Sequence, residues 1–218
     1  MRSSERQTSG EEVANAVTHG VGSHLGAAML ALLVWQGAVS GVDVAWKATS
    51  GAIFGASTIF LYAISSAYHA VSYEPAKQVL HKMDHMAIFF LIAGSYTPFC
   101  LVTLRQTHPA LAWTIFGVEW GAAVVGTVFK AFTTGRFRYI STSAYVVMGW
   151  AALAAIAPLV RSLTGLGTMW LVLGGALYTV GCGFYLWKRL PYSHMVWHIF
   201  VLVGTICHFF CIFWYVMP

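Results

Sequence analysis

Five polar side chains stand out in an otherwise apolar sequence. Ser65 and His69 are four residues apart, as are His194 and His198, and Asp84 follows the run His81-Lys82-Met83. A spacing of four puts two side chains on one helical face, one turn apart. Three imidazoles beside a carboxylate form the donor set of a Zn2+ site. Neutral His nitrogens suit tetrahedral zinc, and three protein ligands leave a fourth position for water. The His194/His198 pair would supply two ligands from one helix, and His69 is the expected third. Asp84 could be a direct ligand, but a catalytic arrangement would use it to hold and deprotonate the water, with the Ser65 hydroxyl orienting Asp84 or polarising a substrate carbonyl. Hydrogen bonding or snorkelling at a membrane surface is the plainer explanation for a lone HxxxH. The weight therefore rests on separate segments converging at one depth.

Composition says what must position these residues. Of 218 residues, 58% are hydrophobic and only 9% charged, against about 25% charged in a soluble domain. Such a chain cannot cover its surface in water, and no sizeable soluble domain fits. Apolar runs predict seven transmembrane helices near 16–39, 48–71, 83–104, 110–130, 140–160, 168–187 and 194–216. The fold class is all-α, a polytopic seven-helix membrane bundle forming a single domain over 1–218. Arg2, Arg6, Lys77, Lys82, Lys130, Arg136, Arg138, Lys188 and Arg189 lie on one side of this arrangement, and Lys47, Arg105 and Arg161 on the other. The positive-inside rule then predicts a cytoplasmic N-terminus, an extracytoplasmic C-terminus and a site on the cytoplasmic side. The net charge of +5 includes no Lys/Arg run longer than Lys188-Arg189. Membrane lipids with anionic headgroups are therefore the expected partners, and nucleic acid is not.

Other polar residues carry weaker expectations. His19 and His24 differ by five positions, so at most one of them faces the bundle. Asn15 and His19 lie near the site in depth and could orient a ligand, or serve only as a cap. His208, about 15 Å beyond His198 along its helix, is expected to bond to a neighbouring helix. Glu119 sits mid-span with no assigned role. Gly94–Phe99 predicts a proline kink at Pro98. Cys100, Cys182, Cys207 and Cys211 lie in apolar stretches and read as buried thiols.

Taken in order, four pieces of sequence resemble the hemolysin III family, the bacterial branch of the progestin and adipoQ receptor superfamily. They are Glu12-Val13-Ala14-Asn15-Ala16-Val17-Thr18-His19-Gly20, Ser65-Ser66-Ala67-Tyr68-His69, Lys82-Met83-Asp84-His85 leading into Gly94-Ser95-Tyr96-Thr97-Pro98-Phe99, and Ser193-His194-Met195-Val196-Trp197-His198. The resemblance implies seven helices with an inside N-terminus, in a bacterial cytoplasmic (inner) membrane. It also implies zinc held by His69, His194 and His198, with Asp84 in contact through water and Ser65 nearby. Eukaryotic relatives resemble receptors with lipid-amide (ceramide) hydrolase activity, which implies a zinc-dependent hydrolase or a lipid sensor derived from one. The alternative is a membrane-lytic, pore-forming or membrane-homeostasis protein in which zinc is purely structural.

Overall fold

A chain that crosses lipid must satisfy its own backbone groups, which an open chain does by forming helices. The computed structural model, which describes residues 7–218, is all-helical, with no strand among the described residues. Its helices are α1 (Ser9–Val39), α2 (Val44–Ala70), α3 (Glu74–Pro98), α4 (Pro109–Thr133), α5 (Arg138–Gly149), α6 (Ile156–Leu186) and α7 (Ser193–Tyr215). A π-helical stretch, Phe99–Leu104, and a last turn, Arg105–Thr107, continue α3, and the 3-10 segment Ala151–Ala155 lies between α5 and α6. Arg2 and Arg6, used above for orientation, lie outside the described residues.

Six helical stretches among the described residues are long and apolar enough to cross a membrane. The expected fifth and sixth spans are not counted as two among these six. They fall within one 49-residue stretch, Arg138–Leu186. Two features interrupt it. The Tyr96 hydroxyl donates to the Gly149 carbonyl and accepts from the Ala152 amide, each at 2.8 Å, which pins the 3-10 segment against α3. Further on, Thr164 adopts φ 62° and ψ 179° inside α6, a conformation that is rare for a β-branched residue.

The expected kink at Pro98 takes a different form. Pro98 itself keeps α geometry, and the irregularity is the π-helical stretch that follows it. The Ser95 and Thr97 hydroxyls bond to the Ile92 and Ala93 carbonyls of the preceding turn.

Helix α1 begins seven residues before its apolar run, because Thr8 caps it. The Glu11 amide donates to Thr8 Oγ1 at 3.2 Å, while Glu11 Oε2 accepts from the Thr8 amide at 2.8 Å. Helices α1 and α2 then run antiparallel at close range. Gly22 faces Tyr62, Gly26 faces Thr58, Gly55 faces Leu30, Gly51 faces Leu33 and Gly37 faces Ala48. Both helices carry glycines four apart, which lets two backbones approach in a medium where packing rather than water drives association. At the opposite end from the histidines, Arg105 pairs with Asp43 at 3.0 Å, and Lys47 Nζ donates to the Pro218 carbonyl at 2.6 Å.

The α1–α2 contact is directly testable. A Cβ at Gly55 would lie 2.6 Å from Leu30 Cα, whereas one at Gly117 meets nothing within 4 Å. Gly55→Val is expected to cost about 1–3 kcal/mol of overpacking and to lower the thermal unfolding midpoint in detergent. Gly117→Ala should leave the midpoint unchanged or raise it slightly. Equal midpoints for the two variants would refute this packing account.

Candidate metal centre

The last turns of α2 carry Ser65 and His69, α3 carries Asp84, and the first turns of α7 carry His194 and His198. Their positions bring all five to one end of the bundle. The His194 and His198 ring centroids are 4.6 Å apart, and His69 is 5.2 Å from each. One nitrogen from each of the three rings lies within 4.8 Å of the other two. Ligands on a tetrahedral zinc stand about 3.4 Å apart, given Zn–N bonds of 2.0–2.1 Å. The rings therefore need to close by little more than an ångström at most.

The polar inventory of the cluster fits a cation. His69 Nε2 and both ring nitrogens of His194 and of His198 are buried and have no hydrogen-bond partner. Each such orphan costs about 1–3 kcal/mol. Three neutral nitrogens aimed into one space are a donor set that a borderline-soft divalent ion accepts. The three histidines picked out in the sequence are thus brought together as a group able to hold a metal ion.

Glu12 completes the arrangement, a residue met in the sequence only as the start of one motif. Its Oε2 accepts from His69 Nδ1 at 2.6 Å, and its Oε1 pairs with Lys77 Nζ at 3.1 Å. A carboxylate on Nδ1–H fixes the ring and leaves Nε2 as the bare nitrogen, which is how ligating histidines are commonly oriented. An acidic residue in the first turn of a helix is already explained by the helix dipole, which hid this second use. Glu11 supports the same region, accepting from the Tyr192 amide at 3.0 Å and so tying the start of α1 to the start of α7.

Asp84 is 4% exposed and is not one of the three clustered ligands. Its carboxyl neighbours Ser65 and His69. Ser65 is fully buried, with its hydroxyl beside the Asp84 carboxyl. Asn15 is buried as well, donating to Gln7 Oε1 at 2.7 Å while its own Oδ1 stays unpartnered.

As expected, only one of His19 and His24 faces inward. His24 is exposed and turns back to the Gly20 carbonyl at 2.8 Å. His19 is fully buried and stacks on His198, with centroids 3.4 Å apart and planes 11° from parallel. His208 bonds to the Leu171 carbonyl of α6 at 3.3 Å, the interhelical contact anticipated for it. The four cysteines are free thiols, three of them buried. Glu119 is 1% exposed with Oε2 unpartnered, and it neighbours Tyr96 and Cys100 rather than the cluster.

An apolar cavity has His19 in its wall at the histidine end. It passes Leu91 and Tyr178, reaches His208, and continues to Leu104 and Ile115. Part of its wall comes from Leu153 and Val172, which are 56% and 45% exposed. The cavity thus borders the surface that faces lipid between α5, α6 and the 3-10 segment.

Comparison with known proteins agrees with this architecture. A family model described as "Haemolysin-III related" matches residues 7–209. "Hemolysin-3" of Bacillus cereus is 42% identical over 208 residues, 95% of this chain and 93% of that protein. "Hemolysin-3 homolog" of Bacillus subtilis (strain 168) is 44% identical over 205 residues, 94% of each chain. The human "Monocyte to macrophage differentiation factor" is 27% identical over 217 residues, 94% of this chain and 84% of that protein, and so extends the likeness to the wider superfamily. A family match covering most of the chain, on a bundle of membrane-spanning length, makes this multi-pass membrane protein a member of the haemolysin III family.

Proposed function

We propose that the protein is a zinc-dependent membrane hydrolase of lipid amides or esters, or a lipid sensor derived from one. The observation that carries this is the meeting of His69, His194 and His198 beside a buried carboxyl, with His19, stacked on His198, lining an apolar cavity. Zinc bound by the three imidazoles would polarise a carbonyl and bring the pKa of water to about 7. Asp84, in no salt bridge among the described residues, takes a proton from water as it adds to the carbonyl. The same carboxyl then returns the proton to the departing amine or alcohol. Ser65 Oγ, beside Asp84, donates to the carboxylate or to the carbonyl oxygen. The cavity wall of Leu91, Tyr178, Leu104 and Ile115 takes the acyl chain and keeps bulk water out.

We infer seven crossings, with α5 through Leu163 and α6 from Gly165 each spanning once. A stretch of 49 residues reaches about 74 Å as helix, more than twice the hydrocarbon thickness. Contacts along it support a reversal at Thr164. Tyr145 donates to the His85 carbonyl at the histidine end, whereas Leu163 joins the cluster containing Leu104 and Met217. Beyond the break, Gly167 meets Tyr215, Gly174 meets His208, and Gly181 meets Phe200 and Trp197, so the chain returns. At the histidine end stand Lys77, Lys82, Lys130, Arg136, Arg138, Lys188 and Arg189, against Lys47, Arg105 and Arg161 at the other. The histidine end is therefore assigned to the cytoplasm, here that of a bacterial inner membrane.

Three measurements test the reading. In a cysteine-free background, Gly165→Cys should react with a membrane-impermeant maleimide in intact cells. Labelling only after permeabilisation overturns the orientation, and no labelling under either condition overturns the seventh crossing. Protein purified in detergent should carry close to one zinc per chain. His194→Ala should lose most of it, and Glu12→Gln should weaken zinc affinity about 10–100-fold; full zinc in His194→Ala would defeat the site. Finally, the native chain should cleave ceramide or a related lipid amide, and Asp84→Asn should be slower by about 100-fold or more. Equal rates in the two would remove Asp84 from the chemistry. Liposome leakage that survives loss of the metal, without hydrolysis, would favour a lytic protein whose zinc is structural.

A further inference from the structure

Four of the imidazoles at the histidine end, those of His19, His69, His194 and His198, pack ring against ring, and they are not equivalent. His69, His194 and His198 form the trio, but none of them lines the apolar cavity, whereas His19 does. His19 therefore stands between the cavity and the trio. Its ring is fully buried and both of its nitrogens lack a hydrogen-bond partner.

The stacking geometry decides what His19 is not. Imidazole lone pairs lie in the ring plane. Two rings 3.4 Å apart and 11° from parallel send their lone pairs along nearly parallel sheets, which do not meet at tetrahedral angles on one ion. Nor is His19 a core histidine satisfied by its neighbours. The Tyr62 ring packs edge-on against it at 4.9 Å, but the Tyr62 hydroxyl bonds to Thr205 Oγ1 at 2.7 Å, as does the Tyr178 hydroxyl at 2.8 Å. Thr205 in turn donates to the Val201 carbonyl. Of the polar groups at this end of the cavity, these hydroxyls are taken, and His19 is left with hydrogen-bonding capacity.

We propose that His19 receives the polar end of an acyl-chain ligand lying in the cavity. This rests on the lipid reading above and names the residue that recognises the ligand's head. A neutral imidazole offers one N–H donor and one acceptor nitrogen, which matches a carboxyl or amide terminus and not a bare hydrocarbon. By holding that terminus at the face of His198, His19 sets a carbonyl beside the trio while the chain extends toward His208. Its stack on His198 fixes the ring, so the group is pre-oriented.

The test uses the full chain, zinc-loaded in detergent, with tritiated palmitate as the probe and zinc content measured alongside. The native protein should bind palmitate, with hexadecane competing poorly. His19→Phe keeps an aromatic ring for the stack and should retain zinc, while its palmitate dissociation constant rises about tenfold or more. His19→Gln, which keeps a donor and an acceptor, should stay within about threefold of the native value. If His19→Phe does not fold, His19→Leu carries the same comparison. Unchanged palmitate affinity in a zinc-loaded His19→Phe overturns the proposal and leaves the lipid reading standing. Loss of zinc in that variant overturns it as well, by assigning His19 to metal retention. A zinc-loaded native protein that binds no palmitate overturns both this proposal and the lipid reading beneath it.

Discussion

A polar atom buried in a membrane bundle has no water to fall back on, and that constraint organises the histidine end of this protein. Each imidazole nitrogen there is bonded by the chain or left for something else to bond. His69 Nδ1 is answered by Glu12, whereas His69 Nε2 and the nitrogens of His194, His198 and His19 are not. The need to answer His69 reaches back into the length of α1. Glu12 lies before the apolar run, so the helix must continue outward for seven residues, about 10 Å. The Thr8–Glu11 capping box then holds that extension in place. Removing the cap would fray the turn that orients a ligand on another helix.

The orientation of α7 depends on small residues elsewhere. Gly167, Gly174 and Gly181 are spaced by seven along α6, and they receive Tyr215, His208, and Trp197 with Phe200. A side chain at any of them would push α7 away or rotate it. Rotation matters because His194 and His198 lie on the same α7, and a turn of the helix would carry both rings off the shared space. The glycine contacts between α1 and α2 act in the same way, setting His19 against Tyr62 and His198. Packing specificity in the apolar part of the bundle is thus what makes the polar end possible.

How much of this could be read from the sequence differs by residue. His69, His194 and His198 were legible because helical spacing fixes a face and the ends of apolar runs fix a depth. Glu12 was not, since an acidic residue in a first turn already has an explanation in the helix dipole. The role of His19 depends on a stacking partner 179 positions away, which periodicity does not encode. Between Arg138 and Leu186 hydropathy found two apolar runs but not what separates them. It registers apolar runs, but not the Tyr96 clamp that turns Ala151–Ala155 into a 3-10 segment, nor a break confined to Thr164 after which the helix resumes at once. The proline in α3 was seen but its effect misplaced, since the irregularity falls after it, in the π-helical stretch Phe99–Leu104.

A structural clasp and a reaction centre place different demands on the residues around an ion. A clasp needs ligands from the elements it joins, and here α2 and α7 supply all three imidazoles. It does not need a buried carboxyl outside the trio, and Asp84, at 4% exposure and in no salt bridge among the described residues, is costly to keep there. Nor does it need an apolar cavity whose polar end is an imidazole stacked on one of the ligands. These features are surplus to holding helices together, and each has a use if a lipid carbonyl is brought to the ion. That surplus is what supports the proposed reaction centre over a purely structural clasp.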